Sequence, residues 1–135
     1  MARRIRWQIL IASISSLLVL ASYNTYTGGT ILNAGTLGLA LDGDSFGGVI
    51  GSGSLTINGG ALAAVGGDRT LSNPITVNGN FGINASNPAQ TLTLAGTIAL
   101  GDVQRTITVA NNAPTILSGV VSSTDGLNKA GGGVL

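Results

Sequence analysis

From Thr30 to the C-terminus, apolar residues alternate with small polar ones. Leu37-Gly38-Leu39-Ala40-Leu41, Leu55-Thr56-Ile57, Ile75-Thr76-Val77, Leu92-Thr93-Leu94, Ile98-Ala99-Leu100 and Ile107-Thr108-Val109 all keep a period of two. That period predicts strands with one buried face. Leu, Ile and Val point inward, and Thr, Ser, Gly or Ala point outward, where β-branched threonine suits a pleated surface. Between the strands stand Asn33-Ala34-Gly35, Asn58-Gly59-Gly60, Gly66-Gly67-Asp68, Asn78-Gly79-Asn80 and Asn111-Asn112-Ala113-Pro114. Gly, Asn and Asp tolerate positive φ, so these are corners. Turns every eight to twelve residues, with no helical period, predict an all-β body.

The corners repeat. Asn33-Ala34-Gly35 before Thr36-Leu37 returns as Asn58-Gly59-Gly60 before Ala61-Leu62 and, more loosely, as Asn78-Gly79-Asn80 before Phe81, a spacing of 25 and then 20 residues between the asparagines. Such periods mark a solenoid, in which each coil buries its apolar face only by stacking on its neighbours. Coils of this size give about five rungs between Thr30 and Leu135, stacked about 4.8 Å apart. Side-chain amides both donate and accept, so successive corner asparagines are able to form a ladder along the axis. The simpler expectation is that each fills a left-handed turn.

Before Thr30 the pattern differs, and all 22 glycines fall after Thr27. Arg3, Arg4 and Arg6 form a basic start, Ile9 to Leu20 an apolar run, and Val19-Leu20-Ala21 a small-residue cleavage signal before Ser22. Residues 1–21 therefore predict a cleaved secretory signal peptide, helical in its apolar part, and residues 22–135 a single repeat domain. An uncleaved anchor is the weaker reading, because Ile9 to Ala21 as a helix reaches roughly 20 Å against a hydrocarbon core of about 30 Å. The adjacent arginines alone are a slight pointer to the twin-arginine route.

Composition narrows the function. The chain has 135 residues, no histidine, no cysteine and eleven charged residues. With the leader arginines set aside, Arg69, Arg105 and Lys129 face Asp42, Asp44, Asp68, Asp102 and Asp125, which leaves the body at −2. A mildly acidic body without basic clusters offers no footprint for nucleic acid. Without cysteine there is no disulfide framework and no thiolate metal site.

Three chemistries are open to such a chain. Asp42 and Asp44 are the candidate carboxylate pair of a β-helix polysaccharide lyase or glycoside hydrolase, which needs two carboxyls about 5–10 Å apart, with Asp68 and Asp102 as further carboxylates and Arg69 and Arg105 as charge stabilisers. Asp42-Gly43-Asp44-Ser45 is more simply a solvated turn. The same residues with Ser45 offer hard oxygen ligands to calcium, but the chain contains no glutamate, so an EF-hand is excluded. Gly66-Gly67-Asp68 likewise departs from the nonapeptide calcium-roll motif. Thr91-x-Thr93 and Thr106-x-Thr108, with Ser54-x-Thr56 as a partial copy, are the material for a lattice-binding array on ice or a crystalline polysaccharide. Outward threonine is equally just a good strand residue. Asn84-Ala85-Ser86 is a glycosylation sequon with meaning only in a eukaryotic secretory pathway.

Asn24-Thr25-Tyr26-Thr27-Gly28-Gly29-Thr30-Ile31-Leu32-Asn33-Ala34-Gly35-Thr36-Leu37 resembles the second half of the autotransporter-associated β-strand repeat, and Gly126-Leu127-Asn128-Lys129-Ala130-Gly131-Gly132-Gly133-Val134-Leu135 resembles the stretch that precedes it. Residues 54–64, 70–84 and 91–100 resemble the degenerate spacer rungs of such passengers. Ile31 stands where the repeat usually carries a polar residue. The resemblance implies a right-handed parallel β-helix, exported by a Gram-negative bacterium, in a stalk or adhesin-type passenger at the cell surface. No run of tilted amphipathic strands ending in an aromatic residue follows, so the chain reads as a piece of a longer passenger, or as a periplasmic protein if complete.

The expectation is thus an all-β, right-handed parallel β-helix of about five rungs after a signal helix, structural and not an enzyme. No catalytic, cofactor-binding or metal-binding residue is assigned, and no cofactor. Expected partners are cell-surface or polysaccharide ligands and, at the rung ends, another copy of the chain or continuation into further repeats; the membrane enters only through the leader during export.

Overall fold

The computed structural model describes residues 9–11, 16–44, 46–85, 90–110 and 113–135. Among them there is no helix, and the strands stack as a parallel β-solenoid of about five turns. Three sheets run along the axis. Sheet A is β1 (Ile9–Ile11), β3 (Thr30–Leu32), β7 (Leu55–Ile57), β10 (Ile75–Val77), β13 (Ile98–Ala99) and β16 (Val121–Ser122). Sheet B is β2 (Leu17–Leu20), β4 (Thr36–Leu39), β8 (Ala61–Ala64), β11 (Phe81–Ala85), β14 (Arg105–Val109) and β17 (Leu127–Ala130). Sheet C is β9 (Arg69–Leu71), β12 (Leu92–Leu94) and β15 (Thr115–Leu117), closed by a hairpin of β5 (Gly43–Asp44) and β6 (Gly47–Gly48). From β3 onward each full turn visits A, then B, then C.

Register aligns the inward residues into columns. Leu37, Leu62, Ile83 and Val109 follow one another through sheet B. Leu32, Ile57 and Val77 do so in sheet A, and Leu71, Leu94 and Leu117 in sheet C. Apart from half-buried Leu117, these side chains are at most 1% exposed, and burying each contributes roughly 1.5–3 kcal/mol. The alternation read from the sequence is therefore the wall of one continuous core. Thr30 lies in register with the Leu55–Ile75–Ile98 column, between Ile9 and Leu55. Its buried hydroxyl is satisfied by the Tyr26 hydroxyl at 2.8 Å. Burial of the Tyr26 phenol raises its pKa above 10.0, and the hydrogen bond to Thr30 opposes that shift.

Asn33, Asn58 and Asn78 form the ladder and do not fill left-handed turns. Asn58 Nδ2 donates to Asn33 Oδ1 at 2.7 Å, and Asn78 Nδ2 donates to Asn58 Oδ1 at 3.0 Å. Among the described residues no non-glycine has positive φ; the left-handed positions fall to glycines such as Gly35 (φ 77°) and Gly60 (φ 78°). The division of labour is steric. A Cβ on Gly60 would lie 2.6 Å from the Gly35 carbonyl oxygen, so the coil below leaves no space for a side chain there. The preceding asparagines keep ordinary backbone angles and spend their amides along the axis.

The helix expected over the leader falls partly on residues outside the described set. Its described pieces are strands: β1 pairs with β3 and β2 with β4, both parallel and in register. The edges of β3 and β4 offer backbone partners to Ile9–Ile11 and Leu17–Leu20, whereas a short isolated helix in water is marginal. Leu17 and Val19 lie over Gly38, within 3.3 Å and 3.1 Å of where its Cβ would be.

Candidate functional site

One coil departs from the plain A–B–C course. After β4 the chain reaches sheet C at Gly43, turns back on itself through β5 and β6, and only then returns to sheet A at Leu55. Gly43 pairs antiparallel with Gly48, and Asp44 with Gly47. Glycine is required at the crossing, because a Cβ on Gly48 would lie 2.6 Å from the Gly43 Cα. Phe46 Cα sits in the turn, where its N–H donates to Asp44 Oδ1 at 2.8 Å. Its side chain is 96% exposed.

The excursion is anchored from three sides. Asn24 N donates to the Gly48 carbonyl at 2.8 Å, and Asn24 Nδ2 to the Val49 carbonyl at 2.7 Å. Val49 and Ile50 enter the core with no exposed surface. From the next coil Asn73, fully buried, directs Nδ2 at the carbonyls of Asp44, Gly51 and Gly53, at 2.9, 3.0 and 2.9 Å. Asn73 Oδ1 has no partner, a cost of about 1–3 kcal/mol. A Cβ on Gly43 would come within 2.9 Å of that oxygen and 2.7 Å of Leu71 Cδ1. The hairpin is thus clamped directly over the core.

Between the hairpin, the segment before Asn24 and sheet C lies a cleft of about 220 Å³. Tyr23 forms one side and is 72% exposed. Asp42, Asp44 and Gly47 line the hairpin side, and Thr70 and Ser72 the sheet C side. Asp42 Oδ1 accepts the Thr70 N–H at 2.8 Å, so this carboxylate stitches its coil to the next. Asp68 repeats the device one coil on, accepting the Thr91 N–H at 2.7 Å.

The structure therefore brings Asp42 and Asp44 to one cleft and keeps the other candidates away. Each of the two is exposed and already accepts a backbone N–H, as turn and corner residues do. Ser45 lies outside the described residues. Arg69 donates to the carbonyls of Val65 and Asp68, and Arg105 to that of Leu100; neither lines the cleft. Asp102 lines a separate, shallow hollow of about 300 Å³ with Ser122, Ser123 and Thr124. No group of three or more carboxylates or other metal-ligating side chains gathers among the described residues. The threonine rows do not join into one array, since Thr56 lies on sheet A, Thr106 and Thr108 on sheet B, and Thr93 on sheet C. Period two fixes which residues face outward, not which of three faces they share.

Sequence reasoning missed Tyr23, Phe46, Thr70 and Ser72. Phe46 alone carried a usable signal, a large apolar ring among Asp, Ser and Gly where a turn has no core to bury it. No family model, no curated protein and no solved structure matches the chain. The fold itself defines the class, a parallel β-solenoid built of repeated coils.

Proposed function

We propose that this chain is a structural, non-catalytic β-solenoid segment of an exported, autotransporter-like passenger, serving as a stalk or adhesin-type surface element. The observation that carries the reading is the unbroken run of axial interactions, with aliphatic columns and an asparagine ladder passing from coil to coil. Such a scaffold propagates a rigid shape along one direction. The two stretches resembling the autotransporter-associated repeat support the finer assignment. Asn24–Leu37 leads through β3 into β4 towards one end of the stack, and Gly126–Leu135 covers β17 at the other. Export rests on the leader, whose basic start, apolar run and small-residue site are those of a secretory signal.

The test is a fusion of residues 1–30 to a phosphatase that is active only outside the bacterial cytoplasm. Activity is expected, with loss when Leu17 and Leu18 are both replaced by Asp. Surface display is examined by joining the whole chain to a translocating barrel and probing intact cells with protease. A reporter that stays in the cytoplasm would refute export, and a chain inaccessible on the barrel would refute the surface role.

A further inference from the structure

We propose that the cleft beside the β5–β6 hairpin binds a glycan, holding one sugar ring that bears no acid group. The hairpin is an addition that the solenoid does not need. The following coils pass from sheet C to sheet A without it, as from β9 to β10 and from β12 to β13, and β3 and β7 keep register across it. An excursion clamped by Asn24 and Asn73 is a rigid platform, the support a binding site requires.

What the platform presents is suited to a polyol. Tyr26 and Phe81 are buried, whereas Tyr23, which lines the cleft, is 72% exposed. An exposed ring beside a polar cleft offers the flat apolar face on which the C–H side of a sugar rests. Asp42 and Asp44 each spend one oxygen on a backbone N–H and keep the other for a ligand hydroxyl, an acceptor strengthened by its charge. The Thr70 and Ser72 hydroxyls line the same space.

Charge sets the class. Two carboxylates and, among the described residues, no lining cation repel uronates, sulfates and phosphates, so the ligand is a neutral sugar. Size sets the extent, because about 220 Å³ lies below the roughly 300–1,000 Å³ of sites that enclose drug-sized molecules. One ring enters, and the remainder of the chain runs over the surface. A contact made by about a dozen ligand atoms predicts dissociation constants in the millimolar range.

The experiment titrates the full chain with cellohexaose, maltohexaose and chitohexaose, and with oligogalacturonate as the acidic comparator, by calorimetry and by tyrosine fluorescence. At least one neutral oligosaccharide is expected to bind in the millimolar range and oligogalacturonate not to bind. Tyr23→Ala is expected to weaken binding at least tenfold with an unchanged melting temperature. Asp42→Asn keeps an acceptor for the Thr70 N–H and is expected to weaken binding several-fold. Folded wild-type chain that binds none of the neutral sugars, equal binding by Tyr23→Ala, or preference for oligogalacturonate would each overturn the proposal. None of these results bears on export or display, which the fusion tests decide separately.

Discussion

Replacing Asn73 tests how the excursion is held. Its amide has two protons and three carbonyl oxygens within 2.9–3.0 Å, so one of the contacts is shared. In Asn73→Ala both donors disappear, each worth about 0.5–1.5 kcal/mol net, and the Gly51 carbonyl, whose contact alone is buried, loses its donor at about 1–3 kcal/mol. Removal of the unpaired Oδ1 returns about 1–3 kcal/mol. The expected net loss is about 2 kcal/mol. Asn73→Asp keeps the shape but turns oxygen toward oxygen and buries a charge without a partner, which costs about 3–5 kcal/mol. The aspartate variant is therefore the less stable at neutral pH, out of a total of about 5–15 kcal/mol for a domain.

The pH dependence separates the causes. Burial raises the folded-state pKa of the new carboxyl above its unfolded value of about 3.9. The folded state then binds more protons than the unfolded one, so stability falls as pH rises through and above about 4. At pH 3 the protonated carboxyl donates one hydrogen bond, and the gap between the two variants closes. Urea unfolding at pH 3 and pH 7 measures this, with limited proteolysis between residues 43 and 53 as the local readout. Equal stability of the two variants at pH 7 would refute the picture of an amide donating into a carbonyl cage.

Other expectations follow from the axial contacts. Asn58 both donates and accepts in the ladder while Asn78 only donates, so Asn58→Ala is expected to lower stability by about 1–2 kcal/mol and Asn78→Ala by about half as much in thermal melts. Leu62→Ala cuts a fully buried column and is expected to cost about 2–5 kcal/mol in urea unfolding. Tyr26 keeps its proton beyond the ordinary 10.0 because it is buried, so the stability it confers is complete below about pH 10 and lost as pH rises through its folded pKa. Ultraviolet titration of Tyr23→Phe, which leaves Tyr26 as the sole tyrosine, reads this directly; ionisation of Tyr26 below pH 10 would contradict it.

Much of the scaffold was legible in the residues. Leu55-Thr56-Ile57, Ile75-Thr76-Val77 and Leu92-Thr93-Leu94 are strands with the burial their alternation implies. Local reasoning failed wherever the deciding partner lies a whole coil away. Asn58 read in isolation is a turn former; its bonding partners are 25 and 20 residues distant in sequence. The threonine rows failed for a related reason, since alternation says nothing about how many strands separate one row from the next around the coil. In the cleft, Asp42 and Asp44 were visible as a pair, but Tyr23, Thr70 and Ser72 reach them from other parts of the chain. Asn73 gave no signal at all, because a polar residue before a proline resembles any exposed turn.

The hairpin over sheet C sits where an added turn leaves the register of the flanking coils unchanged. On either side of it the coils keep Thr30 opposite Leu55 and Thr36 opposite Ala61, as though the intervening residues were absent. Stability is written in columns that run along the axis, and surface character in a loop that stands beside them. Over generations the two are free to change at different rates: the exposed tip around Phe46 can alter in chemistry, while Gly43, Val49 and Ile50, packed in or against the core, are inherited with the stack.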